Sequence, residues 1–265
     1  MKQISIFLTI FLFSFHGLNA ANSNPVFGKN GMVVSTSKQA SEAGIEILKK
    51  GGNAVDAAVT VGFALAVTSS SNGNIGGGGF IVAAMADGEN FTLDHREKAP
   101  AAAHRDLFLN DSGNVVPGMS LFSRAGSGVP GTVDGLIRAL EDHGSGKISL
   151  RQALAPAIRL AEKGFNLSHY EAQRFNGNQG FFERNEAAAA IFIRRNGNPW
   201  SRGDKLVQKD LAKTLKRIAK YGRDGFYKGP VADLIVAEME RGNGLISLDD
   251  LKNYSSVYRN PVSGT

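Results

Sequence analysis

Between Ala54 and Val67 the chain runs through 14 residues of which only Asp56 and Thr60 are polar. A helix over this stretch has no face to give to water, yet it is short of the roughly 20 residues a bilayer crossing needs. It therefore belongs in the middle of a layered globular protein, with other elements covering it on all sides. Asn53 is placed to cap its start. The preceding segment from Ser37 carries Ala40, Ala43, Gly44, Ile47 and Leu48 at the spacing of an amphipathic helix, and Gly51-Gly52 is suited to end it in a left-handed turn. Upstream, Gly31 to Ser35 is expected to form a short strand.

Phe80 to Ala86 and Phe91 to His95 flank Asp87-Gly-Glu-Asn90, the signal of an antiparallel hairpin. In its second strand Phe91, Leu93 and His95 share one face, and Thr92, Asp94 and Arg96 the other. Helical spacing returns over Ser149 to Gly164, Lys209 to Tyr221, Pro230 to Arg241 and Leu248 to Tyr254. The order is helices, sheet, helices, an α+β class. Residues 174–200, with Asn-Gly pairs and an alanine run, show no clear period.

Composition narrows the chemistry. Cysteine is absent from all 265 residues, which excludes disulfides, thiolate-bound metals and a cysteine nucleophile. The net charge of +6 is regional, because eleven basic and only three acidic residues lie between Arg194 and Lys228. Lys209, Lys213, Lys216 and Lys220 line one face of a helix there, opposite Leu211, Leu215 and Ile218. That pattern is a solvated face over a core stripe, and without interleaved aromatics it gives no ground for nucleic-acid binding. His95, His104, His143 and His169 show no ligand spacing, so no metal site is expected.

Met1 to Ala21 has a basic start, an apolar run from Ile4 to Phe15 and small residues at its end. This is the form of a secretory signal, cut near Ala20 or Ala21, with an uncleaved N-terminal anchor as the alternative. Export to the periplasm or the exterior follows from it. The remainder, 22–265, is expected to hold a single structural portion.

Gly73-Asn-Ile-Gly-Gly-Gly-Gly79 lacks the Gly-Lys-Ser/Thr of a phosphate loop and leads into a strand rather than a helix. Close backbone approach in a tight turn is the better account. Arg96 stands where the chain leaves the sheet, in Leu93-Asp-His-Arg-Glu-Lys-Ala-Pro100. A guanidinium there can grip a carboxylate through two parallel hydrogen bonds, or form an ion pair with Asp94 or Glu97.

The block Gly51-Gly-Asn-Ala-Val-Asp-Ala-Ala-Val-Thr-Val-Gly-Phe-Ala-Leu-Ala-Val67, the glycine run to Phe80 and Leu93 to Pro100 together closely resemble the γ-glutamyltransferases (γ-glutamyltranspeptidases). Gly128-Val-Pro-Gly-Thr-Val133, Asp224-Gly-Phe-Tyr-Lys-Gly229, Asp249-Asp-Leu251, Tyr254 and Arg259-Asn-Pro261 extend the likeness over about Gly31 to Thr265. Ser69-Ser70 departs from the His-Pro frequent in the family, and residues 174–200 match poorly.

The resemblance implies an N-terminal nucleophile hydrolase fold, a four-layer αββα sandwich, made as an exported zymogen that cleaves itself into a large and a small subunit. In that family an N-terminal Thr attacks the γ-glutamyl amide of glutathione or a similar donor, and water, an amino acid or a dipeptide takes up the acyl group. No cofactor or metal is implied. The Thr-Thr-His-Tyr type of string that carries the nucleophile does not occur in these residues. The resemblance therefore places them in the first part of the large subunit, with a small subunit as partner, and residues 22–265 are expected to be inactive alone. Arg96 corresponds to the family arginine that binds the donor α-carboxylate, and no catalytic residue carries over. Alternatives are a non-catalytic glutamate-binding protein, or a relative acting on poly-γ-glutamate or glutaryl-cephalosporins.

Overall fold

A computed structural model describes residues 25–264. The chain divides into two units, Met1–Met32 and Val33–Thr265. In the first, residues 25–32 carry neither helix nor strand, and the expected signal segment lies outside the described residues. The strand expected over Gly31 to Ser35 does not form: no ladder partner pairs with it among the described residues, and Val34 points into water. An extended segment with no neighbour has nothing to receive its amides.

In the second unit Ser37 caps α1 (Lys38–Lys49), whose Ala40, Ala43, Gly44 and Ile47 are buried. Gly51, at φ +85°, turns the chain out of it. Asn53 and Asp56 form a reciprocal cap on α2 (Ala54–Thr68), in which nearly every residue from Val55 onward is buried or half-buried. Asp56 is fully buried and accepts hydrogen bonds from the amides of Asn53 (2.7 Å) and Ser145 (3.1 Å). A central helix without a polar face thus keeps its one carboxylate at the cap, where backbone donors meet it.

Next come β1 (Phe80–Ala84) and β2 (Asn90–Asp94), paired antiparallel with Phe80 opposite Asp94. Then follow α3 (Thr132–His143), α4 (Leu150–Lys163), β3 (Phe165–Asn166), α5 (His169–Gly177), α6 (Glu186–Phe192), β4 (Lys205–Leu206), α7 (Lys209–Tyr221), α8 (Pro230–Glu240), α9 (Leu248–Asn253) and β5 (Val257–Arg259). β5 returns to pair antiparallel with β2, giving the sheet order β1-β2-β5. Helix α2 packs against α1, α3 and α4, and α4 in turn against α7.

Among the described residues the sheet is covered on one side only. Ile81, Ala83, Phe91, Leu93 and Tyr258 face the core, whereas on the other side Phe80 and Val82 are 59% and 76% exposed. The segment 174–200, without a legible period, is held by an aromatic cluster: Phe175, Phe182, Phe192 and Trp200 have ring centroids 5.0–6.2 Å apart. The lysine row of α7 lies in water, with Lys213 paired to Asp210 and Lys216 to Glu162. Among the described residues no helix is long and apolar enough to cross a membrane.

Candidate functional site at the end of strand β2

The glycine run ties three elements to one point. A Cβ on Gly73 would lie 2.7 Å from the Leu65 carbonyl oxygen of α2, and one on Gly78 would lie 2.8 Å from the Arg96 Cα. The Gly77 carbonyl accepts from the amides of Gly131 (2.8 Å) and Thr132 (2.9 Å) at the start of α3. Close backbone approach is what the loop needs its glycines for, and it opens into β1 rather than a helix.

His95 continues β2 by exchanging hydrogen bonds with Gly79, 2.9 Å from its own amide and 3.3 Å to its carbonyl. Its ring is buried against α3, where a Cβ on Gly135 would fall 2.3 Å from the His95 Cβ. Burial lowers its pKa, against the opposing pull of Asp94, Glu97 and Asp134, and its Nδ1 has no partner among the described residues. It is a packed neutral histidine. His143 likewise packs, its ring stacked on Phe91 at 3.8 Å.

Arg96 combines a fixed backbone with an open side chain. Its amide donates to Asp94 Oδ1 at 3.0 Å, and its carbonyl accepts from the Tyr254 hydroxyl at 2.8 Å. The side chain is 61% exposed, with Nε 3.1 Å from Glu97 Oε2. Of the two intramolecular partners open to it, Glu97 is therefore the one used. Asp94 turns its second oxygen to Arg259 Nε, and its carboxyl is held below the usual range first by the Arg96 amide and then by Arg259. Among the described residues only Nε of the Arg96 fork has a partner, and a guanidinium with its outer nitrogens open has the geometry to grip a carboxylate.

Behind this point lies a polar network whose members' joint role periodicity could not single out. Asp134, buried in the first turn of α3, accepts from Arg223 Nε and from the Ser256 amide, each at 2.7 Å. Arg223 also donates to the carbonyls of Lys252 and Tyr254. Tyr227 donates to the Pro130 carbonyl at 2.8 Å, and burial pushes its hydroxyl pKa up. The one local hint is Asp134 itself, an acid among Thr132, Val133, Leu136 and Ile137. A separate cleft of about 730 Å³ lies between the Ser69 to Asn72 loop and α5, and Arg96 does not line it.

The family model for Gamma-glutamyltranspeptidase matches residues 40–265. A glutathione hydrolase proenzyme of Pseudomonas sp. (strain A14) is 46% identical over 96% of this chain, and that of Escherichia coli 44% identical over 94%. The chain spans 44% and 43% of their lengths. Among solved structures, the γ-glutamyltranspeptidase of Helicobacter pylori superposes with a TM-score of 0.88 at 43% identity, covering 91% of this chain and 69% of that one. A cephalosporin acylase from Bacillus halodurans gives a TM-score of 0.78 at 26% identity, covering 91% and 45%.

Proposed function

Since the chain belongs to the γ-glutamyltranspeptidase family and carries the N-terminal nucleophile hydrolase fold, we propose that it is the donor-binding part of a γ-glutamyl hydrolase and transferase. The donor is glutathione or a related γ-glutamyl amide, in keeping with the names of its relatives. Arg96 holds the donor α-carboxylate through its fork. A Thr outside these residues, at the start of a small subunit released from the same precursor, attacks the γ-carbonyl carbon. Its hydroxyl proton passes to its own α-amine and then to the departing nitrogen, leaving an acyl-enzyme that water, an amino acid or a dipeptide resolves. The small subunit covers the outer face of the sheet around Phe80 and Val82. The precursor is exported by its N-terminal segment, so the mature protein begins near Ala21 or Asn22, and intact mass of the secreted form checks this.

The observation that carries the donor assignment is the fixed Arg96 backbone beneath an exposed guanidinium. In the self-processed enzyme, Arg96→Ala is expected to lower kcat/KM for γ-glutamyl-p-nitroanilide by roughly thirty- to two-hundredfold. That is about 2–3 kcal/mol, the lower part of the range for truncating a charge pair, because the free guanidinium is already largely hydrated. Unchanged kinetics with a lowered melting temperature would show an intramolecular role for Arg96 instead.

A further inference from the structure

We propose that Tyr254 positions Arg96 for the donor, an inference that rests on the donor-binding reading of Arg96. Three contacts hold the Arg96 backbone. The Asp94 contact spans two residues and is a local turn, and Gly78 supplies only close approach. The Tyr254 hydroxyl, 158 residues away in sequence, is the only partner found for the Arg96 carbonyl among the described residues. It ties the segment leading into β5 to the strand end that presents the guanidinium.

Tyr254 is itself held from several directions. Its ring lies parallel to that of Tyr227, at 4° and 5.8 Å between centroids, and the Lys98 Nζ sits 5.2 Å from its centre. Lys98 also donates to the Ser255 carbonyl at 2.7 Å. The Tyr254 carbonyl accepts from Arg223, which the buried Asp134 orients, and Asp134 also takes the Ser256 amide. Residue 131 leaves room for the hydroxyl only because it is glycine: a Cβ there would lie 2.1 Å from both the Tyr254 hydroxyl and the His95 carbonyl. Burial, followed by the negative charges of Asp134, Asp94 and Glu97, raises the Tyr254 pKa. The hydroxyl therefore stays protonated and acts as a donor.

A carboxylate held at Arg96 is remote from the γ-carbonyl that reacts, so the grip is the same before and during bond breaking. Loosening it raises KM and leaves kcat alone. In the complete self-processed enzyme, Tyr254→Phe is expected to raise the KM for γ-glutamyl-p-nitroanilide about three- to tenfold, with kcat within about twofold. In an Arg96→Ala background the same change should add nothing, since there is no fork left to position. Placing p-aminophenylalanine at 254, which keeps a donor at the same ring position, should restore KM.

An unchanged KM in Tyr254→Phe, beside a raised KM in Arg96→Ala, overturns the positioning role and leaves the donor reading intact. An unchanged KM in Arg96→Ala overturns the donor reading, and with it this inference. A full Tyr254→Phe effect persisting in the Arg96→Ala background also overturns the inference. Should Tyr254→Phe fail to accumulate, the exposed Lys98→Met loosens the same segment, and a wild-type KM there counts against the proposal.

Discussion

Arg259 holds Asp94 diagonally across the β2–β5 ladder, Nε to Oδ2 at 2.6 Å, although the register places Thr92 opposite Arg259 and Val257 opposite Asp94. The Asp94 carboxyl is held below its usual range, so its contribution to stability is present above the unfolded value near 4 and is lost as pH falls through the depressed folded value. Arg259→Ala removes the second of the causes. Because Arg259 is 60% exposed, the loss at pH 7 is expected to stay below about 1 kcal/mol, while acid unfolding begins at a higher pH. Melting temperature followed from pH 7 to pH 3 checks this, and an unmoved acid limb contradicts it.

The Glu97 carboxylate lies 3.1 Å from the Arg96 Nε, so on the donor-binding reading of Arg96 it would repel an arriving donor carboxylate. Glu97→Gln is therefore expected to lower donor KM by up to about fivefold, the most a half-exposed pair supplies, with kcat unchanged. A KM that rises would mean that Glu97 orients the guanidinium rather than competing for it. Arg96→Lys should recover only part of the Arg96→Ala loss, because an ammonium lacks the two-pronged fork.

His95 titrates in the opposite structural sense to a salt-bridged histidine. Its folded pKa is lowered by burial, so the unfolded chain binds the proton more readily. The stability this neutral ring contributes is complete above about 6.5 and falls away below it. The wild-type melting temperature should accordingly drop more between pH 7 and pH 5 than that of His95→Leu. Parallel curves for the two proteins would refute the assignment.

The outer face of the sheet offers a test of subunit packing. Phe80 and Val82 stand on it, 59% and 76% exposed, with the apolar Val257 two strands across. Val82→Asp is expected to leave the helical content of this chain unchanged, since the residue touches water, but to block formation of the two-subunit enzyme by burying a lone charge. Size-exclusion chromatography of co-purified subunits reads the outcome. A normal complex would exclude this face from the interface.

What the sequence alone determined lies within a turn or two of the chain. The nearly all-apolar pattern of Ala54 to Val67 sent that helix to the core, and Asn53 marked its start through a cap that reaches only three positions along the chain. Alternation in β2 correctly put Phe91, Leu93 and His95 on the buried face and Arg96 at the strand end. These signals are local because propensity, capping and face alternation act between near neighbours. Tertiary structure decided the rest. It left Gly31 to Ser35 without a strand partner among the described residues, organised residues 174–200 around Phe175, and brought β5 back beside β2. It also chose Glu97 over Asp94 for the Arg96 side chain and set Tyr254, Asp134 and Arg223 behind it. The Asp134–Arg223 and Tyr254–Arg96 contacts join residues 89 and 158 positions apart. No short-range pattern encodes such pairs, because they exist only once packing of the intervening helices has offset the entropy of closing so long a loop.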